Sequence, residues 1–441
     1  MQLSGQSILV MGMGRSGVSA AEYAVSQGAR VTVTDLREDC PRINGAKHTY
    51  GQHLRNEFTD ADLVIVSPGI PASAPDIVAA QEVGVPVISE LAFAAEILQH
   101  RGIPILAITG TNGKSSVSWF IGQILKGAGL DVFVGGNFGT ALTDLVASDE
   151  RPDFAVVEVS SYQLELPGQL TPIAAAVLNL APDHLGRHGT MENYAKTKTD
   201  LFRNMTESGY AALPKHAANN PDNLLKHGGT RAQCIWLDGD PGVIRDGDII
   251  SLHGTPDDGV LDMTTLGLLG DHNRDNAATA ALLCVCAQLP RAQIDFSKLT
   301  ALPHRLQPVH ESGGVTWVND SKATNVDAAI VGINGIERPM IALLGGAGKA
   351  GSDYSRLNDA LQNTTKLVVC FGAAGTEIAS ALTHHTVTCV PTLSDAVQAA
   401  AHAAEPEDIV LLSPACASFD EFNNFEERGQ TFTSLAREAT R

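Results

Sequence analysis

At 441 residues the chain is long enough for about three domains at roughly 150 residues each. Its 44% hydrophobic and 18% charged residues are the balance of a folded globular protein, which excludes a peptide, a single binding module and a disordered chain. With 49 acidic against 30 basic residues the formal charge is −19, so broad nucleic-acid binding is excluded and any anionic ligand must be held by local positive groups.

The chain opens on SILVMGMG, an apolar run ending in glycines, followed by the amphipathic VSAAEYAVSQG and then by ARVTVTD, ADLVIVSPG, IVAAQEVG and VPVIS. Strand and helix patterns alternating in this way predict a parallel sheet with helices on its faces. The rhythm restarts at IPILAITGTNGKSSVSWFIGQIL, with PDFAVVEVSS and IAAAVLNL as later buried strands, and again at TWVND, MIALLGG, KLVVCFG and DIVLLSPA. Three α/β domains are therefore expected, over residues 1–93, 94–301 and 302–441. From about 207 to 265 the Gly-, Asp- and His-rich sequence predicts short strands and loops lying over the middle sheet. The seven cysteines are odd in number and hold no C-x-x-C pair, so they are expected to be reduced and mostly buried thiols, with Cys284 and Cys286 packing in an apolar run. No run reaches the ~18 apolar residues needed to span a bilayer and the N-terminus lacks a basic stretch, so a cytoplasmic protein without membrane insertion is expected; a monomer is expected as well.

The middle domain opens with the chain's clearest chemistry. An apolar strand enters Gly110, Thr111, Asn112 and Gly113, and Lys114, Ser115 and Ser116 lead into the helical pattern VSWFIGQIL. Backbone N–H groups at such a helix start face a phosphate, the lysine supplies a point charge and the hydroxyl can ligate magnesium. The glycine spacing is two residues shorter than the usual phosphate loop. Glu158 closes the strand FAVVE, at the sheet edge where parallel strands present residues to ligands, and is a candidate ligand for the metal of a nucleotide. Asp183 and His184 follow another buried strand, and His184 is a candidate metal ligand.

Gly12 to Gly17 reads G-x-G-x-x-G between a strand and a helix, with Asp35 at the end of the next strand. Taken alone this predicts NAD with Asp35 on a ribose. The physics specifies only a diphosphate at a helix N-terminus beside a ribose, which a sugar nucleotide also offers. In the C-terminal third, LPHR, WVNDSKATN, LLGGAGK and SPACASFDEFNNFEERG sit at strand ends where small molecules are expected to bind.

Over the whole chain these strings resemble the Mur ligases of bacterial cell-wall synthesis. The resemblance rests on GMGRSG, SPGI, TGTNGKSS, EVSSYQLE, the DH pair, GDHNRDN, LPHR, NDSKATN, SPACASFDEF and NFEERG. It implies a three-domain ATP-dependent amide-forming enzyme: an N-terminal Rossmann-like domain for a uridine nucleotide, a central P-loop-type ATPase domain and a C-terminal Rossmann-like α/β domain. The SPACASFDEF and NFEERG strings favour the branch that joins D-glutamate to UDP-N-acetylmuramoyl-L-alanine. By resemblance Arg15, Ser16, Asp35 and Arg37 lie near the uridine nucleotide and Gly69 near its pyrophosphate, while Asn137 lies near the sugar nucleotide and the catalytic centre. Gly110 to Ser116 hold ATP, Lys114 on its phosphates, with Ser115 and Glu158 on one Mg²⁺ and His184, Glu158 and a carbamylated lysine on a second. The four-residue spacing from Tyr194 matches the family's modified position at Lys198, while Lys196, two residues away, points to a different helix face. Asn273 corresponds to the adenine contact, Arg305 and Asp320 to ATP phosphate and ribose contacts, and Lys322, Thr324, Lys349, Ser418 and Phe425 to the region that receives D-glutamate. Gly186 and Ala347 depart from common family residues without removing any of these groups. The rival reading of the glycine fingerprint, an NAD-dependent dehydrogenase, leaves the phosphate loop and the C-terminal third without a role.

Overall fold

The computed structural model describes residues 2–215, 230–349, 351–383 and 385–439, so the part of the expected loop region over 216–229 lies outside the described residues. The chain forms two compact units, one of Met1–Thr265 with Asn276–Lys298 and one of Leu266–Asp275 with Leu299–Arg441. Three α/β sheets occur, two in the first unit and one in the second.

The first sheet has five parallel strands in the order Lys47–Tyr50, Arg30–Asp35, Ser7–Met11, Leu63–Val66 and Val87–Ser89. Its two central strands are almost continuously apolar because helices cover both faces. The strand order reverses between Ser7–Met11 and Leu63–Val66, which opens a crevice at their carboxyl ends. Helix Glu90–His100 runs through residue 93, capped by Ser89, whose hydroxyl accepts from the N–H of Ala92 at 3.2 Å. Phe93 of this helix joins Val10 and Ile65 of the first sheet and Ala107 and Val157 of the second in one continuous core.

In the second sheet Ile105–Thr109 lies between Phe154–Glu158 and Ala174–Val177, with Val132–Gly136 at one edge, all parallel. Beyond Ala174–Val177 the segments Tyr210–Leu213, Gln233–Trp236 and Gly242–Asp246 continue the parallel ladder, and Ile249–His253 and Gly259–Asp262 close it antiparallel. The short strands expected over the middle sheet are present, but they extend its edge instead of lying on its face. The reason is the open row of backbone donors and acceptors on Ala174–Val177, which Tyr210–Leu213 satisfies.

In the second unit the strand order is Gln307–Ser312, Val315–Asn319, Ile409–Ala415, Met340–Gly345, Thr365–Phe371 and Val387–Cys389, parallel except for the first. All seven cysteines are free thiols; Cys284, Cys286, Cys370 and Cys416 are buried, Cys40 and Cys234 half-buried and Cys389 exposed. Among the described residues no helix is long and apolar enough to cross a membrane.

Candidate active site

The fully buried strand Ile105–Thr109 delivers the chain into a tight turn that only glycine accommodates at two places. Gly110 and Gly113 have φ of 151° and 83°, and a Cβ on Gly113 would lie 2.8 Å from Asn276 Oδ1. Helix Lys114–Gly127 starts directly behind Gly113, so its first N–H groups and its positive dipole end open toward the loop. The loop is braced from the neighbouring strand end: Asn112 N–H donates to Asn179 Oδ1 at 2.8 Å, Asn179 Nδ2 donates to Asn112 O at 3.1 Å, and Ala181 N–H donates to Thr111 Oγ1 at 3.0 Å. Lys114 Nζ donates back to Gly110 O at 2.9 Å and Thr111 O at 2.8 Å, which places its charge over the turn. Ser116 is buried one position beyond Ser115.

Adjacent strands bring Glu158 beside this loop, since Ile108 and Glu158 are register partners. Glu158 is buried and both its oxygens are engaged: Ser115 Oγ donates to Oε2 at 2.6 Å and Asn137 Nδ2 to Oε1 at 2.7 Å. Asn137 is thus placed at the Glu158 carboxylate and is not among the residues that line the N-terminal pocket. A buried carboxylate against a hydroxyl is a hard oxygen pair suited to Mg²⁺.

Lys198 is 1% exposed, whereas Lys196 is exposed, so the two lysines do face differently. Lys198 Nζ donates to Gly110 O at 2.9 Å and stands 4.6 Å above the Tyr194 ring. Burial, and then the charge of Lys114, pull its pKa down to about 7. His184 is half exposed on a left-handed backbone (φ 52°), its ring 3.2 Å from Tyr162 OH and 3.3 Å from Asp183 Oδ2. Among the described residues no three His, Cys, Asp or Glu side chains cluster as a ready-made metal site. The donor set fits one cation at Ser115 and Glu158, and a second only if another anionic oxygen is supplied.

The N-terminal crevice is a cavity of about 590 Å³ lined by Arg15, Ser16, Asp35, Arg37 and Gly69 among others. The fingerprint glycines have separate reasons. Gly12 turns at φ 91°, Gly14 has nothing within 4 Å of a Cβ and so admits a ligand closely, and a Cβ on Gly17 would fall 1.9 Å from Gly12 O. Asp35 is held from several sides: Met13 N–H donates to Oδ2 at 2.8 Å, Arg37 N–H to Oδ1 at 2.9 Å, and the Arg37 guanidinium forks onto both oxygens at 3.2 and 3.0 Å. These donors, the Arg37 guanidinium foremost, hold its carboxyl well below the usual carboxylate range. Arg15 is drawn to Asp144 at 3.1 Å.

The sequence reading missed Arg187, within DHLGRH. It forks onto Glu165 at 2.7 and 2.9 Å, lies 4.8 Å above Tyr162, and donates to Gly69 O at 3.1 Å and Ile70 O at 2.8 Å, tying the pocket wall to the loop that carries His184. Nothing local signals this role, because its partners are distant in the chain.

In the second unit, Asn273 is buried and donates to Leu269 O at 2.7 Å. Asp320 is buried where it accepts from Ser413 Oγ at 2.8 Å and Leu306 N–H at 3.2 Å, and desolvation pushes its pKa up to about 7. Arg305 lies in the LPHR turn between His304 (φ 64°) and Leu306 (φ 39°). Lys322 Nζ stands 3.9 Å from the Phe425 ring centre, Thr324 N–H donates to Lys322 O at 2.8 Å, Ser418 is buried and Lys349 is exposed.

Three family descriptions match the chain in order: Mur ligase MurD-like, N-terminal domain over residues 6–89; Mur ligase middle domain over 108–284; and Mur ligase, glutamate ligase domain over 304–416. The UDP-N-acetylmuramoylalanine–D-glutamate ligase of Koribacter versatilis is 36% identical, covering 99% of this chain and 98% of that protein. The ligase of the same name from Anaeromyxobacter dehalogenans is 38% identical, covering 100% and 99%. Among solved structures, Thermotoga maritima MurF ligase in complex with ADP superposes with a TM-score of 0.62 at 16% identity over 99% of both chains. The UDP-N-acetylmuramate-alanine ligase MurC of the same organism superposes with a TM-score of 0.57 at 17% identity, over 98% of this chain and 100% of that one.

Proposed function

The chain belongs to the Mur ligase family, and from that premise we propose that it joins D-glutamate to UDP-N-acetylmuramoyl-L-alanine in an ATP-dependent, cytoplasmic step of peptidoglycan precursor synthesis. The observation that carries the reading is the pair of separate phosphate-recognition loops in the first unit, Gly12–Gly17 on one sheet and Gly110–Lys114 on the next. Two such loops serve two nucleotides, ATP at the central one and the uridine diphosphate of the acceptor at the N-terminal one. A dehydrogenase has no use for Lys114, Ser115 and Glu158. The three tasks divide over the proposed domains 1–93, 94–301 and 302–441.

A carboxylate does not condense with an amine at neutral pH, so it must first be activated. In this reading the alanyl carboxylate oxygen attacks the γ-phosphorus of ATP and ADP leaves. The amine of D-glutamate then attacks the acyl carbon, phosphate leaves and the amine proton is lost. Lys114 places its charge against the phosphoryl oxygens, and the N–H groups of the helix start orient them. Ser115 and Glu158 would hold Mg²⁺, with His184 and a carbamylated Lys198 beside them; that metal supplies charge neutralisation at the phosphoryl oxygens. Asn137 keeps the Glu158 carboxylate oriented. Asn273, Arg305 and Asp320 are assigned to ATP, and Lys322, Thr324, Lys349, Ser418 and Phe425 to D-glutamate.

The test is phosphate release from the purified protein. Release should require ATP, Mg²⁺, UDP-N-acetylmuramoyl-L-alanine and D-glutamate together; equal turnover with L-alanine and unsubstituted UDP-N-acetylmuramic acid would refute the reading.

A second prediction concerns the N-terminal cavity. Asp35→Ala releases both the Met13 N–H and the Arg37 fork and removes the carboxylate assigned to the ribose. Calorimetry should show the uridine acceptor binding roughly 10- to 100-fold more weakly, with no NAD binding by either protein. Micromolar NAD affinity abolished by the same change would assign the cavity to a dinucleotide.

A further inference from the structure

Arg428 is 0% exposed, the kind of burial that a charged side chain tolerates only when its donors are satisfied. Its guanidinium donates from Nε to Ser321 Oγ at 2.9 Å, from Nη2 to Ser321 O at 2.8 Å, and from Nη1 to Cys416 O and Ala417 O at 3.1 Å each. Every acceptor is neutral. Nearby carboxylates are engaged elsewhere: Glu427 Oε2 accepts from Asn423 N–H and Nδ2 at 2.9 Å each, Asp420 Oδ2 from Ala373 N–H at 2.9 Å, and the Glu421 carboxylate from Leu393 N–H at 3.2 Å, so Asp420 and Glu421 act on the guanidinium only through space. Burial lowers the Arg428 pKa to about 10, so the group stays cationic at neutral pH.

The acceptors belong to the chain segments that carry the residues assigned to D-glutamate. Ser321 precedes Lys322, and its Oγ donates onward to Phe425 O at 2.8 Å. Cys416 and Ala417 precede Ser418. The glycine loop that leads to Lys349 closes on the same group, since a Cβ on Gly346 would lie 3.0 Å from Arg428 Nη1 and 2.3 Å from Ala417 O, while Ala347 N–H donates to Ala417 O at 2.9 Å. One planar fork therefore ties two segments, at Ser321 and at Cys416–Ala417, to the helix that carries Phe425, with the Gly346 loop bonded to the second of them, a task a lysine cannot perform.

We propose that Arg428 is the positioning residue of the amino-acid site, framing these segments and supplying a buried positive charge that, among the described residues, no carboxylate hydrogen-bonds, so that a dicarboxylic amino acid is preferred over its neutral amide. This inference rests on the proposed ligase activity. Arg428 acts through Lys322, Ser418 and Phe425, not by touching the reacting atoms.

The experiment uses full-length R428K, which keeps the charge and loses the fork, R428M, which loses both, and S321A, which removes one acceptor and leaves the arginine. KM and kcat are read by phosphate release for D-glutamate, D-glutamine, ATP and the uridine acceptor, with melting curves confirming folding. R428K should raise KM for D-glutamate by about tenfold or more, with KM for ATP and the acceptor changed by no more than about twofold. S321A should shift in the same direction by less. R428M should in addition lower the preference for D-glutamate over D-glutamine by about tenfold; if R428M does not fold, R428K and S321A decide. A D-glutamate KM within about twofold of wild type in both R428K and S321A, or equal rises for all substrates, overturns the inference while leaving the function intact. Wild-type protein with no D-glutamate-dependent release overturns both.

Discussion

Lys198→Ala should lose nearly all turnover, on the order of 10³-fold or more, the scale expected when a preorganised charge-stabilising group is removed. The side chain is buried against Gly110 O and the Tyr194 ring, beside the phosphate loop. A cationic amine there would repel a metal held by Glu158 and Ser115. An amine drawn down to about 7 is substantially neutral at working pH and can attack CO₂, forming a carbamate oxygen pair with release of one proton. Lys196→Ala, on the exposed face of the same helix, should be mild. Small carboxylic acids should partly restore Lys198→Ala by supplying the missing oxygens. In CO₂-depleted buffer the wild-type rate should fall and recover with bicarbonate, more readily as pH rises through about 7, because the neutral amine fraction grows. The folded pKa lies below the unfolded value of about 10.5, so the unfolded chain binds more protons between these two values; the unmodified protein should therefore gain stability as pH rises across that window. Full activity of Lys198→Ala in CO₂-depleted buffer would remove the lysine from the mechanism.

Lys114→Met should lower kcat/KM by about 10²- to 10³-fold, the effect of removing one preorganised donor from developing phosphoryl charge. The ammonium bonds the loop carbonyls Gly110 O and Thr111 O, which can be hydrated in the variant, so the cost in stability should stay near about 1 kcal/mol. The melting temperature should barely move while ATP-dependent phosphate release collapses. Binding of the uridine acceptor, assigned above to the cavity at the first sheet, should be unchanged by calorimetry. Lys126→Met, at the exposed far end of the same helix, serves as the control and should be near wild type. A Lys114→Met enzyme within about fivefold of wild type would show that the loop lysine does not bear the transferred charge.

Much of the site could be read from local patterns. The glycines at 12 and 17 are demanded by backbone conformation and close approach, requirements that act over a few residues and so are written in nearby letters. The same holds for Gly110 and Gly113 and for the strand-end position of Glu158. The resemblance selected Lys198 over Lys196, and burial agrees with it.

By itself the sequence determined the alternating strand and helix order, the three sheets' principal strands, the two glycine-rich strand-to-helix turns and the residue types available for chemistry, because each follows from side-chain periodicity or from the φ a turn demands. Which strand edges meet was decided only in three dimensions. The pairing of Ile105–Thr109 with Phe154–Glu158 is what sets Ser115 on Glu158, and the open edge of Ala174–Val177 is what draws 210–262 into the sheet instead of over it. Arg187 and Arg428 show the limit most plainly. Each is a basic residue that local patterns leave without a role, and each acquires one from loops 117 and 107 positions away, at Ile70 and Ser321. Hydrogen bonds over such separations depend on how whole sheets place their loop ends, and no pattern local to the residue carries that information.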